Sequence, residues 1–200
     1  VDYESFLTFD KIVYLICDPR DWLISGTLFS ISQHLKQHAD QQAITTIVNL
    51  LKQKEADSSS VALVTILEKT LECLPGKSLT QTLDEMNRQM EWLFAFEEGL
   101  GEHVRLKYEA FIDKKIAHLT DYLGLSVNGC PNVNKAHSHV PRTRSYGNWR
   151  DWFLPQDVEL FRPIFDPYLR RYQYETSWEV NPTQRVQTEH CSQYVERTMH

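Results

Sequence analysis

The sequence predicts a helix-rich, three-layer α/β domain around a parallel sheet, and three observations point to it. Residues 11–17 carry a near-continuous apolar run through Ile12, Val13, Tyr14, Leu15 and Ile16, the pattern of a strand covered on both faces. Asp18-Pro19 then breaks the run and the period turns helical, with Trp22, Leu23, Gly26, Phe29 and Leu35 recurring at roughly helical spacing. Several amphipathic helical stretches follow before a second short strand pattern at residues 104–108.

Each element has its own local cause. Asp18 suits a helix cap, since its carboxylate can accept from free backbone N–H groups, and Pro19 suits the first helical turn. A strand that feeds a capped helix presents such N–H groups at the sheet's carboxyl edge, a natural place for a phosphate. Residues 41–54 form an amphipathic helix through Ile44, Ile47, Val48 and Leu51. Glu55 to Ser60 is a polar break, read as a mobile loop. Residues 61–74 give a helix stopped by Pro75-Gly76. The LPGKS string at 74–78 lacks the first glycine of a phosphate-binding loop and follows a helix, so it reads as a turn.

Residues 79–96 form a helix with Leu83, Met86, Met90, Leu93 and Phe94 on its core face. Residues 111–123 form another, closed by Gly124 as a left-handed cap. Residues 126–141 hold two prolines, three asparagines and no periodicity, hence a long loop. Residues 155–172 return to helix, and 181–200 are a polar tail, either a terminal helix or partly disordered. The domain itself is expected over 1–180.

Composition narrows the function classes. The net charge of −6 argues against a general nucleic-acid binder. No apolar run is long enough to span a membrane, and no signal-peptide pattern opens the chain. Cys17, Cys73, Cys130 and Cys191 are widely spaced without a CxxC pair, which fits reduced thiols in a cytoplasmic protein. His137 and His139 lie near Cys130 but read as a solvated loop, so no metal is expected. The chain starts at Val1 and reaches its first strong element by Lys11, like a piece whose N-terminal part lies elsewhere.

Two segments carry candidate chemistry. One is the strand end and helix start, with Cys17, Arg20 and Ser25. The other is residues 142–150, where Arg142, Arg144 and Arg150 stand with Ser145, Tyr146 and Gly147. Guanidinium forks bind phosphate oxygens bidentately, and hydroxyls and backbone N–H groups fill the remaining acceptors. The aromatics Tyr146, Trp149, Trp152 and Phe153 read as core.

Taken in order, these segments resemble the C-terminal two-thirds of a sulfotransferase that uses 3′-phosphoadenosine 5′-phosphosulfate (PAPS). The family's strand–loop–helix, Y-V-x-R-N/D-P-x-D-x-x-x-S, is matched by Tyr14-Leu-Ile-Cys17-Asp18-Pro19-Arg20-Asp21-Trp-Leu-Ile-Ser25. Its later strand end is matched by Tyr108-Glu109-Ala110-Phe111, and the leucine–glycine turn that follows by Tyr122-Leu-Gly-Leu125. Its late R-x-x-x-x-G-D/N-W-K/R motif is matched from Arg142 through Phe153.

The resemblance implies a P-loop-nucleotide-kinase-like fold, incomplete at its N-terminus. It also implies transfer of a sulfuryl group from PAPS, the donor substrate, to a hydroxyl or amine of a small-molecule, glycan or lipid acceptor. By the same resemblance Ser25 and Arg142 hold the donor's 3′-phosphate, Tyr108 lines the adenine pocket, and Gly147 and Trp149 shape the late loop. The 5′-phosphosulfate loop and the upstream catalytic histidine of the family have no counterpart in these residues. His34, His38, His137 and His139 are available imidazoles, but nothing in the sequence places one as the base.

Cys17 stands where the family has arginine. A neutral thiol does not replace a guanidinium, and one lost charge-assisted bond costs roughly 1.5–3 kcal/mol. Arg144, or alternatively Arg20, can restore the charge. Two rival readings follow: a catalytically impaired sulfotransferase-like binding or interaction module, and another nucleotide-binding α/β protein such as a small-molecule kinase.

Overall fold

The computed structural model describes residues 4–38, 40–126 and 144–199. It is a helix-rich α/β fold with a small parallel sheet. A short helix α1 (Glu4–Leu7) leads into β1 (Val13–Ile16), then α2 (Pro19–His38), α3 (Gln41–Ala56), α4 (Leu63–Glu72) and α5 (Leu79–Gly99). After these come β2 (Val104–Lys107), α6 (Tyr108–Ile112), α7 (Ala117–Leu123), α8 (Trp149–Trp152), α9 (Pro155–Arg171) and α10 (Ser192–Met199). β1 and β2 run parallel, with Val13 opposite Val104 and Ile16 opposite Lys107. Both strands therefore end beside the start of α2, which places residues 17–21 and 107–109 side by side.

β1 departs from the expected strand in one respect. Tyr14 and Ile16 are buried, whereas Val13 and Leu15 face outward and Leu15 is 60 % exposed. The reason is one-sided cover: Tyr14 packs against Phe96 of α5 and Tyr172 beyond α9, while the opposite face stays open. Among the described residues the sheet has two strands.

The helical body is organised by buried charges as much as by apolar contact. Ile31, Leu51, Leu63, Ile66, Phe161, Phe165 and Val195 are fully buried in one core. Asp157, equally buried, accepts from the Leu63 and Val64 N–H groups at 3.1 and 2.8 Å and from the Leu154 N–H at 2.9 Å. One carboxylate thus satisfies free donors at the start of both α4 and α9. Lys54 lies fully buried nearby and donates to the carbonyls of Ser58 and Val61 at 3.0 and 2.6 Å. Across the fold, buried Glu97 of α5 takes Arg105, His103, Arg171 and Tyr172, tying α5 to β2 and to the end of α9.

Two further expectations are corrected. The break at 55–60 is an ordered turn: the Asp57 carboxylate accepts from the Ser59 N–H and hydroxyl, and buried Ser58 accepts from the Val186 N–H at 3.1 Å. The helix expected over 111–123 splits into α6 and α7, because Lys114 adopts a left-handed φ of 60° and the Lys115 N–H closes back on the Ala110 carbonyl. Of the two readings of the polar tail, the structure takes the terminal helix: α10 packs on α2 and α3 with Cys191 and Val195 fully buried. Gly124 takes the left-handed conformation expected of a cap, at φ 65°, whereas α4 ends at Glu72 with Cys73 as its cap and Gly76, at φ 69°, belongs to the turn that follows.

Candidate functional site

The carboxyl ends of both strands open on a pocket of about 350 Å³, at the small end of ligand-sized cavities. Its base is the turn from β1 into α2. Asp18 caps α2 as its sequence suggests, accepting from the Arg20 N–H at 2.9 Å. The same carboxylate takes the Arg20 guanidinium in a fork, at 2.9 Å from Nε and 2.6 Å from Nη2. Arg20 also donates to the carbonyls of Ser177 and Glu175, and lies 4.0 Å over the Trp149 ring and 5.2 Å from Trp178. Arg20 is 1 % exposed, so its charge is committed to Asp18 and to the chain after α9.

The Asp18 and Arg20 N–H groups of this turn are already used. Glu109, on α6, accepts from the Asp18 N–H at 2.9 Å and from the Tyr174 hydroxyl at 3.0 Å. The remaining cations of the wall are likewise engaged. Lys107 donates to the Gln173 carbonyl and sits 4.2 Å over Tyr174. Arg150 lies over Trp149 and pairs with Glu175 at 2.6 Å.

Asp21 is where the two sequence segments meet. Its carboxylate accepts from the Gly147 N–H at 2.5 Å and the Trp149 N–H at 3.0 Å, and its backbone carbonyl accepts from the Ser25 hydroxyl at 2.9 Å. Ser25 and Gly147, more than a hundred positions apart, are therefore both bonded to one residue. Gly147 needs its glycine: the backbone there is left-handed, at φ 78°. Burial pushes the Asp21 carboxyl up to about 6, the nearby Asp18 and Glu109 charges add to this, and the two amide hydrogen bonds oppose it.

The other expected site residues stand as follows. Arg20 and Gly147 line the pocket itself; Ser25 lies one turn further along α2 with its hydroxyl exposed. Cys17 is half-buried, and burial with the Glu109, Asp18 and Asp21 charges pushes its thiol up to about 12, so it is neutral. Tyr108 is half-buried at the first position of α6. Arg144 is exposed, with a left-handed φ of 50°. Arg142, Cys130, His137 and His139 lie outside the described residues, and His34 and His38 lie along α2.

Trp149, Trp152 and Phe153 are core, as expected, but Tyr146 is 41 % exposed and donates to Asp113 at 2.9 Å, bridging the late loop to α6. Asp21 and Glu109 are positions of the matched motifs to which the sequence assigns no role of their own, and Lys107 and Tyr174 carry no signal in it. Among the described residues no group of histidine, cysteine or carboxylate side chains could hold a metal ion, and no helix is long and apolar enough to cross a membrane. No protein-family model matches this chain, and neither does any curated protein or solved structure.

Proposed function

We propose that this chain is the donor-binding part of a PAPS-dependent sulfotransferase, with the three-layer, P-loop-kinase-like architecture of that family. The observation that carries the reading is the meeting of Ser25 and the 144–150 segment at Asp21, which joins the two motifs that the resemblance assigns to one 3′-phosphate. In the reaction, the sulfur–oxygen bond to the donor's phosphate breaks while a bond from sulfur to the acceptor's oxygen or nitrogen forms. The acceptor's proton passes to a base, and 3′-phosphoadenosine 5′-phosphate leaves. The residues in hand supply grip on the nucleotide end: the Ser25 hydroxyl, Arg142 and Arg144 for the 3′-phosphate and Tyr108 for adenine. Arg144 fits the missing charge better than Arg20, because the Arg20 guanidinium is held by Asp18 and two carbonyls.

Calorimetric titration with 3′-phosphoadenosine 5′-phosphate tests this. Micromolar binding that disappears with adenosine 5′-phosphate is the expected result, and a preference for a nucleoside triphosphate overturns it in favour of a kinase-like protein. Arg144→Ala should weaken binding by about tenfold or more, and Arg150→Ala by less, since Arg150 is already paired with Glu175.

A second reading is favoured by Cys17. The neutral, half-buried thiol at the position of the family's arginine fits a catalytically impaired binding or interaction module. Absence of nucleotide binding in the wild type, with binding restored in Cys17→Arg, would support it.

A further inference from the structure

We propose that Asp21 is the positioning residue of the 3′-phosphate grip: its carboxylate fixes residues 145–149, a strap laid on α2, and so sets where Arg144 stands relative to Ser25. This role rests on the sulfotransferase reading, because the phosphate is the ligand which that reading assigns to Ser25 and Arg144. It adds a residue on which affinity depends without touching the ligand.

The strap is held at defined points. One Asp21 oxygen accepts from the Gly147 N–H at 2.5 Å and the other from the Trp149 N–H at 3.0 Å, so both oxygens face the strap. An ionised carboxylate suits this arrangement, since it carries acceptors alone. Trp149 is 1 % exposed and its ring lies 4.0 Å from the Arg20 guanidinium, which seals that anchor in the core. Gly147 is the outer anchor, with a left-handed backbone. Inside the strap the Asn148 amide donates to the Ser145 hydroxyl at 2.9 Å, and the Tyr146 hydroxyl is tied to Asp113 at the same distance.

Two features make this frame more than a tie between loop and helix. Arg144 enters it with a left-handed φ of 50°, a backbone state that a residue with a side chain keeps only where its surroundings impose it, and its side chain is exposed. On the helix side, the Ser25 hydroxyl donates to the Asp21 carbonyl at 2.9 Å, so one residue sets the position of both groups assigned to the phosphate. Asp21 itself is not a phosphate ligand: its oxygens are taken by the strap, and a second anion beside them is repelled. Its effect therefore passes through Arg144. Asparagine at this position keeps one carbonyl acceptor and turns an N–H donor towards the other strap amide. With Trp149 sealed, the anchor that gives way is Gly147, and Arg144 is freed with it.

Calorimetric titration with 3′-phosphoadenosine 5′-phosphate at pH 8, where Asp21 is ionised, reads this as a coupling between two positions. Asp21→Asn should weaken binding about tenfold, as should Arg144→Ala, yet the double variant should be no more than about twofold weaker than Arg144→Ala alone. Losses that multiply, or an Asp21→Asn variant that binds as the wild type does, overturn the proposal and leave the sulfotransferase reading in place. No binding in the wild type overturns both. Hydrogen exchange gives a readout without nucleotide: in Asp21→Asn the Gly147 amide should lose about tenfold in protection relative to the amide of buried Ile31, and unchanged protection overturns the proposal. If Asp21→Asn does not fold, Asn148→Ala unties the strap at Ser145 with Asp21 intact. Its loss of affinity should vanish in the Arg144→Ala background, and a loss that persists there overturns the proposal.

Discussion

Asp157 and Asp21 do the same chemical task in two settings. Each is an aspartate that collects backbone N–H groups from a distant part of the chain, Asp157 from residues 63, 64 and 154 and Asp21 from residues 147 and 149. Asp157 has no exposure, and the buried Lys54 ammonium lies near enough to act on its charge. Asp21 is half-buried on the wall of an open pocket and has only like charges for company. The difference separates a clamp from a site. A sealed carboxylate with a cation acting on its charge joins two helices inside the core, whereas Asp21 ties its segment to α2 at the rim of a pocket.

The sharpest way to break the comparison is Asp157→Ala. It strips three backbone donors of their acceptor and leaves Lys54 without its counter-charge, so stability in urea denaturation should drop by about 3–5 kcal/mol. Lys54→Met removes the donor serving the Ser58 and Val61 carbonyls and should cost about 2 kcal/mol by the same measurement.

The pH dependence of that second loss has a defined sign. Burial brings the Lys54 ammonium down to about 8, so between pH 8 and the ordinary lysine range the unfolded chain binds more protons. Wild type should therefore gain stability relative to Lys54→Met as pH rises through that window. The smallest effect belongs to Asp21→Asn, expected within about 1 kcal/mol at pH 7, since it removes an uncompensated charge and one acceptor together. Its signature is again the direction. Wild type should lose stability relative to Asp21→Asn as pH rises from 4 to 6, because the folded protein holds its proton to higher pH. A large loss at pH 7 in Asp21→Asn would erase the distinction between the two aspartates.

What the sequence disclosed follows the same division between local and distant causes. The β1–turn–α2 unit, the caps at Asp18 and Gly124, and the core faces of α3, α4 and α5 depend on neighbours in the chain, and periodicity and turn chemistry expose them. Of the candidate site residues, Ser25 and Gly147 are both bonded to Asp21 in the structure. Glu109 was hidden because its role exists only once β2 lies beside β1 and brings the carboxylate to the Asp18 N–H. Lys54, the last residue of the helical stretch at 41–54, carries no signal of its burial, although its ammonium donates to the Ser58 and Val61 carbonyls of the turn that follows. The tail's two readings stay open in the sequence for a similar reason: α10 has few apolar residues, and its seat on α2 and α3 is made by the buried Cys191 and Val195.

The open face of β1 carries a cost in handling. Val13 and Leu15 show apolar surface to water on that face, which favours apolar contact between molecules. Concentrated samples of these 200 residues should show rising light scattering while their far-ultraviolet spectrum stays unchanged, the mark of association between folded molecules. Leu15→Lys, which places a charge on that face and leaves Tyr14 and Ile16 in the core, is the direct remedy for it.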